Sequence, residues 1–330
     1  MRVLIIGGNR FLGLELALRL SAQGKQVTLL NRGNVVDPLG ARVERLIADR
    51  GSDHFDQVLE GRQFDAVVDF ALFDREQAER AVRALSDRVG QYIFISTGQV
   101  YLVRTEYHPP ACESDYDGPI IPCPDRPGDR ENWTYGADKR AAEDVISRAP
   151  MLATTLRLPM VHGLRDYRER IASLLWRVLD GGPVLVVDPE AQVRHVYGPA
   201  VLRQIERLID QPPTSSAAYN LAQEESVSVR EVVRLIASRV GSKSRAAVVG
   251  REAMEEEGLD PVQACAFSGR WMSCLDATLA RTTLGFTHEP FEVYLHALID
   301  AYLSRWNGEP GPSMEQRDRE LSLWRKRGGV

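Results

Sequence analysis

Six short, mostly apolar runs punctuate the first half of the chain, at residues 3–6, 27–30, 43–47, 66–70, 92–96 and 154–158. Such runs suit parallel strands buried on both faces of a sheet. Amphipathic stretches at 12–23, 76–88 and 135–148 alternate with them. In the first, Leu12, Leu16 and Leu20 recur every fourth residue and make one buried stripe. Strands joined by crossover-length helical segments predict an α/β fold built on a doubly wound parallel sheet. Beyond residue 158 the rhythm loosens. Helices are expected at 166–180, 199–209, 228–239, 276–284 and 291–306, short strands at 184–187 and 219–221, and a terminal helix near 314–325. The reading is a sheet domain over 1–159 and a smaller α+β domain over 160–330, with the segment near 196–222 packing back on the sheet. One connection is out of scale. Residues 102–132 are rich in Pro, Asp and Gly, and a long irregular loop inside a compact domain is usually functional; a lid or wall on the substrate side is expected.

Composition narrows the partners. The 330 residues carry 41 Lys and Arg against 46 Asp and Glu, a net charge of -5. A nucleic-acid surface calls for clustered basic excess, so that partner is disfavoured. No apolar run approaches the roughly 20 residues that span a bilayer. The opening Met1-Arg2-Val3-Leu4-Ile5-Ile6 resembles a signal peptide only superficially, because Gly7 and Gly8 end its apolar run at once and no small-residue cleavage site follows. Four cysteines without CxxC spacing suggest reduced thiols and a cytoplasmic setting. The six histidines include no HxH or HxxxH pair, so no metal site is expected.

The first strand runs directly into Gly7-Gly8-Asn9-Arg10-Phe11-Leu12-Gly13 and then a helix. In that context Gly7 permits a tight turn, Gly8 gives the backbone room where a diphosphate approaches, and Gly13 lets helix and sheet pack closely. The helix N-terminus then points amides at phosphate, which makes this a dinucleotide-binding turn. The second strand ends Leu29-Leu30-Asn31-Arg32-Gly33, without the acid that usually holds a ribose 2′-hydroxyl. Arg32, with Arg10, suits a 2′-phosphate instead. NADP is the expected cofactor, with NAD open.

Tyr135-Gly136-Ala137-Asp138-Lys139 places a phenol and an ammonium on one face of a helix expected to start there. A free tyrosine titrates near 10; a neighbouring cation and an oxidised nicotinamide both lower that value towards the working range of a base. Ser96 and Thr97, directly after the fifth strand, supply hydroxyls for the substrate oxygen.

Together these motifs resemble the extended short-chain dehydrogenase/reductases, the NAD-dependent epimerase/dehydratase family, whose fold is a Rossmann domain with a smaller substrate domain. Arg10 stands where the family's central glycine would be, and the start GGxRFxG is similar to a subgroup that includes the chloroplast stem-loop-binding proteins. The resemblance implies a triad of Thr97, Tyr135 and Lys139, the hydroxyl lying three positions before Val100-Tyr101. It also implies that Asp49 reaches the adenine, that Ala71 lies along the cofactor, and that Pro159 and Met160 line the nicotinamide. Leu156-Arg157-Leu158-Pro159 with Val161-His162-Gly163, then Tyr219-Asn220-Leu221, then Asp276 to Leu284-Gly285-Phe286, continue the likeness to about residue 300.

Dehydratases of the family carry Asp-Glu after the catalytic Thr; here Gly98 and Gln99 replace them, which removes dehydration. The family's R-x-x-VDD becomes Arg194-His195-Val196-Tyr197-Gly198-Pro199. Gln99, Arg194, His195 and Tyr197 are the substrate-side candidates. The leading reading is reversible hydride transfer between a nicotinamide and a carbonyl or alcohol of a small metabolite, with Tyr135 as acid and base. The alternatives are a nucleotide-sugar epimerase using transient redox and, in another class, a cofactor-binding scaffold or RNA-binding relative. Family members often dimerise through the helices expected here at 76–88 and 135–148, so a homodimer is a further expectation.

Overall fold

In the computed structural model the strands of the first half are mostly buried, except at the sheet edge, where Leu46 alone of the four residues Glu44–Ile47 is buried. The structure describes residues 1–305 and 314–328. Along the chain run β1 (Arg2–Ile6), α1 (Phe11–Ala22), β2 (Gln26–Asn31), β3 (Glu44–Ile47), α2 (Asp53–Leu59), β4 (Phe64–Asp69), α3 (Arg75–Leu85), β5 (Val89–Thr97), α4 (Gln99–Leu102), α5 (Pro127–Ile146) and β6 (Ala153–Leu158). Next come β7 (Val161–His162), α6 (Arg170–Leu179), β8 (Val184–Val186), β9 (Gln192–Val193), β10 (Val196–Tyr197), α7 (Gly198–Asp210) and β11 (Ala217–Asn220). The rest is β12 (Val227–Ser228), α8 (Val229–Val240), β13 (Ala246–Val248), α9 (Arg251–Glu256), α10 (Pro261–Ala264), α11 (Thr278–Leu284), α12 (Phe291–Leu303) and α13 (Arg317–Lys326).

Seven strands form one sheet in the order β11-β6-β5-β4-β1-β2-β3, every neighbouring pair parallel. This is the doubly wound Rossmann-like α/β fold, whose ligand crevice lies at the carboxyl ends of the strands where the order reverses beside β1. Leu4, Ile6, Val67, Tyr92 and Phe94 face one side, into a core with Phe55 of α2, Ala78 and Leu85 of α3 and Ile146 of α5. On the other side α1 lies against α7, joined by a bidentate ion pair from Arg19 to Glu206 at 2.7 and 2.6 Å.

The chain divides into two compact units. Unit 1 comprises Met1–Pro159, Gly198–Ala222 and Leu275–Thr287, and unit 2 comprises Met160–Tyr197, Gln223–Cys274 and His288–Val330. The return of 275–287 to unit 1 has no signature in the sequence. It is anchored by Asn220, whose Nδ2 donates to the carbonyls of Ala111 and Asp276 at 3.0 and 3.1 Å. Unit 2 has its own core, with Leu174, Val233, Phe267 and Leu298 fully enclosed or nearly so. Its terminal helix α13 is held by Arg177, whose Nε and Nη2 reach Glu320 at 3.0 and 2.6 Å inside the core. The end of the helix expected at 291–306 lies outside the described residues.

The helix bearing Tyr135 differs from expectation. It begins at Pro127, eight residues before Tyr135, because proline suits the first helical turn and tolerates the polar residues that follow. The stretch before it is not free chain either. Trp133 Nε1 donates to the Ile121 carbonyl at 3.0 Å, Arg104 Nη1 to that of Asp115 at 2.7 Å, and Arg104 and Ile120 form an antiparallel bridge.

Candidate active site

The first crossing from sheet to helix is built around absent side chains. Gly7 sits at φ +83°, a region open to glycine, and a Cβ there would stand 2.9 Å from that of Ala71. At Gly13 a Cβ would meet the Gly8 Cα at 2.7 Å, so only glycine lets α1 start this close to the turn. Arg10 is extended, caps α1 without a side-chain bond, and the first turn holds no acid. Phe11 follows at φ +42°, the kind of strained backbone that gathers at ligand-binding turns. Asn9 donates to the Val35 carbonyl at 3.4 Å, and Leu12 is buried. The first-turn amides of a helix lack intrahelical partners and favour an anion, so this turn fits a diphosphate.

Around it lie the other expected cofactor residues. Asn31 ends β2; its Oδ1 accepts from the Gly33 amide at 2.8 Å, while its Nδ2 is buried with no partner among the described residues. A buried, unanswered donor suits a ribose hydroxyl. Arg32 and Arg10 are exposed. Asp49 is exposed and accepts from the Gly51 amide at 2.8 Å.

At the carboxyl end of β5 the two hydroxyls separate. Ser96 is 4% exposed and its Oγ donates to Glu143, whereas Thr97 is only partly buried and its Oγ1 accepts a long bond from the Gln99 amide at 3.3 Å. Gln99 Nε2 is turned to Asn132 Oδ1 at 2.9 Å. Tyr135 is 36% exposed, and Lys139 one turn on is 2% exposed. Lys139 Nζ donates to the Ile95 carbonyl at 2.9 Å, with the rings of Phe94, Phe73 and Tyr135 at 4.8, 5.1 and 6.0 Å. Burial pushes its pKa down to about 7, opposed by the carboxylates of Asp69 and Glu143, while Arg50 adds to the depression.

The remaining substrate-side candidates belong to unit 2, and one departs from expectation. His195 is wholly enclosed; its Nδ1 lies 2.7 Å from His162 Nε2, and Phe267 packs on its ring at 4.9 Å. Burial lowers its pKa to about 3, so it stays neutral as a core residue rather than lining a pocket. Tyr197 is partly buried, stacked on Tyr294 at 5.1 Å. Arg194 Nε reaches the Glu224 carbonyl at 3.0 Å. Pro159 closes the first stretch of unit 1, and Met160 packs beside the unit 2 core.

The sequence profile of the NAD dependent epimerase/dehydratase family matches residues 3–222. The chain belongs to that family. It is a family of NAD-dependent enzymes, and the fold is shared with several solved structures. MoeE5, in complex with UDP-glucose and NAD, superposes with a TM-score of 0.70 at 21% identity, over 92% of this chain and 99% of that one. A UDP-glucose 4-epimerase of Thermotoga maritima gives 0.70 at 17% identity, over 92% and 99%. WbmG of Bordetella bronchiseptica, in complex with NAD, gives 0.72 at 16%, over 92% and 94%. A curated relative, the chloroplast stem-loop binding protein of 41 kDa b of Arabidopsis thaliana, is 33% identical over 206 residues, 58% of this chain and 50% of that protein. The match thus spans about half the length of that relative.

Beneath the site of this epimerase/dehydratase family member, Arg157, Tyr101 and Asn220 of the motifs quoted above join Glu143, which no motif contains, in one buried network. Glu143, one turn beyond Lys139, accepts from Ser96 and from Arg157 Nε and Nη2 at 2.9 and 2.7 Å. Arg157 Nη1 continues to the Tyr101 hydroxyl at 2.7 Å, and that hydroxyl donates to Asn220 at 2.9 Å. The i, i+4, i+8 spacing of Tyr135, Lys139 and Glu143 was available as a signal, since it puts all three on one helix face.

Proposed function

We propose that this chain is an NAD-dependent sugar-nucleotide epimerase, which oxidises a secondary alcohol transiently and restores it with the opposite configuration. The observation that carries the reading is the buried Lys139 beneath the accessible Tyr135, bonded to β5 two residues before Thr97 and in the same unit as a turn that fits a diphosphate. Bound NAD would supply the redox chemistry, holding the substrate's hydride between the two halves of the reaction. Tyr135 Oη takes the proton from the substrate hydroxyl and later returns it. The Lys139 ammonium, 6.0 Å from the Tyr135 ring, would favour the phenolate that accepts this proton. Thr97 Oγ1 holds the substrate oxygen, and the neutral Gly98 and Gln99 leave no acid–base pair for water elimination. Net reduction, ranked first by sequence alone, uses the same three residues; family membership and the likeness to NAD-bound sugar-nucleotide enzymes favour epimerisation. They favour NAD as well, as does the Asn31 donor, whereas the NADP expectation rests on Arg32, Arg10 and the lack of an acid at the end of β2. A homodimer through α3 and α5 remains part of the reading.

The test is incubation of the purified protein and NAD with UDP-glucose, UDP-glucuronic acid and UDP-N-acetylglucosamine, with products followed by NMR. Epimer should form without net change in reduced-nicotinamide absorbance, and Tyr135→Phe should lower kcat by about 100-fold or more, the scale of lost general acid–base catalysis, with NAD still bound. Stoichiometric NADPH consumption on adding a carbonyl substrate would establish the reductase instead. A second reading, stem-loop binding, is favoured by the 33% identical relative. RNA-hairpin binding that is unaffected by Tyr135→Phe, in a protein inactive on every sugar nucleotide, would replace the enzyme reading.

A further inference from the structure

Beneath the crevice, on the face shared by α2 and α3, lies an ionic cluster whose Asp69 and Arg50 also present opposing charges to Lys139. Asp69, the last residue of β4, has no solvent exposure. Its carboxylate accepts four hydrogen bonds: two from the Arg50 guanidinium, one from the Tyr92 hydroxyl, and one from the Ala71 amide at 2.9 Å. Tyr92 is reached across the neighbouring strand, where it pairs in register with Val67. Arg50 comes from much farther away. It follows β3 at the sheet edge, three strand places from β4, which at ~4.8 Å per place is roughly 14 Å. It is 9% exposed, and its guanidinium lies 5.5 Å from the Phe55 ring of α2.

Two partners of this carboxylate, Arg50 and the Ala71 amide, belong to loops at the carboxyl ends of the strands. Arg50 directly follows Asp49, the expected adenine-side residue. Ala71 abuts Gly7, where a Cβ would come within 2.9 Å of its own. The Asp69 side chain therefore links the loop after β3 and the loop after β4 by hydrogen bonds, and Ala71 of the second loop abuts the turn after β1. A buried ion pair contributes little net stability compared with apolar packing, so its retention here points to fixing geometry.

We infer that the Arg50–Asp69–Tyr92 cluster is a positioning strut for the dinucleotide, holding the loop after β3, expected at the adenine, in register with the loop after β4, expected along the rest of the cofactor. The inference rests on the proposed NAD-binding reading. A ligand that bridges two subsites gains affinity because its second half binds at high effective concentration, and that gain is lost when the subsites fall out of register. The strut therefore affects the whole dinucleotide more than either half.

The experiment measures binding of NAD and of AMP, separately, by calorimetry to the full chain and to Asp69→Asn and Tyr92→Phe, at a temperature where circular dichroism shows each variant folded. Asp69→Asn should weaken NAD at least tenfold and Tyr92→Phe two- to fivefold, with AMP within twofold of the parent in both. NAD affinity within twofold of the parent in the variants would overturn the strut, as would equal losses for NAD and AMP, which would mark local damage to the adenosine site. If Asp69→Asn does not fold, Tyr92→Phe decides on the same criteria. Failure of the parent protein to bind NAD at all would instead remove the cofactor reading on which the strut depends.

Discussion

At the scale of single residues, Lys139 is a costly buried group in unit 1 and one the proposed chemistry needs. Its ammonium has one hydrogen-bond partner and three aromatic rings around it, so burial favours the neutral amine and brings the pKa to about 7. The sign for stability follows. Below pH 7 the folded chain carries the buried cation and bears the full penalty. Between 7 and about 10.4 the folded lysine has lost its proton while the unfolded one keeps it, so stability rises with pH. Lys139→Met should therefore stabilise the protein by about 1–3 kcal/mol at pH 6, and the gain should shrink towards zero near pH 10. Denaturant unfolding at both values checks this; an equal gain at the two would show that the ammonium is not the source. Tyr135 and Lys139 were legible in the sequence because i, i+4 on a helix fixes their relation. Arg50 and Asp69 were not, because 19 residues separate them and only the strand order brings their loops together.

Among the elements, α5 carries the proton-transfer pair, and its seating on the sheet depends on one carboxylate. Glu143 is 4% exposed and answers Ser96 of β5 and Arg157 of β6, so it locks the helix against two strands one turn below Lys139. Glu143→Gln keeps the shape but leaves the Arg157 guanidinium without a counter-charge. Removing one partner of a buried pair is strongly destabilising, about 3–5 kcal/mol; the isosteric amide still accepts one bond, so about 2–4 kcal/mol is expected here. Loss of Glu143 also removes a charge that supports the Lys139 ammonium, so the alkaline limb of any pH–rate profile governed by loss of the Lys139 proton should move to lower pH. A melting curve and a pH series on the folded variant check both; unchanged stability would place Glu143 outside the helix's anchoring. The sheet strands were readable because burial on both faces leaves apolar runs. The start of α5 at Pro127 was hidden by a polar first turn, and β13, three residues long, is too short to show a period.

For the whole molecule, the decisive fact is that neither unit is one continuous piece of chain. Unit 1 takes back 198–222 and 275–287 after the chain has entered unit 2. The short strand expected at 219–221 and the packing of the segment near 196–222 on the sheet could be read from the sequence, but the return of 275–287 could not. β11 pairs with β6 from Ala217↔Thr154 to Asn220↔Arg157, and α7 covers α1 through Glu206, which holds both Arg19 and Gln23. A fragment ending at Pro159 contains the glycine turn and the whole Thr97–Tyr135–Lys139 set, yet it exposes the edge of β6 and the apolar side of α1. Open edges of this kind template association between chains. The fragment should elute as aggregate on size exclusion and lack a cooperative thermal transition, despite holding every proposed chemical group. Rejoining 198–222 to it through a short flexible linker should restore a soluble species that melts cooperatively. If the fragment ending at Pro159 is itself monomeric and cooperative, the returning segments are dispensable to the sheet, and the first half of the chain is a domain in its own right.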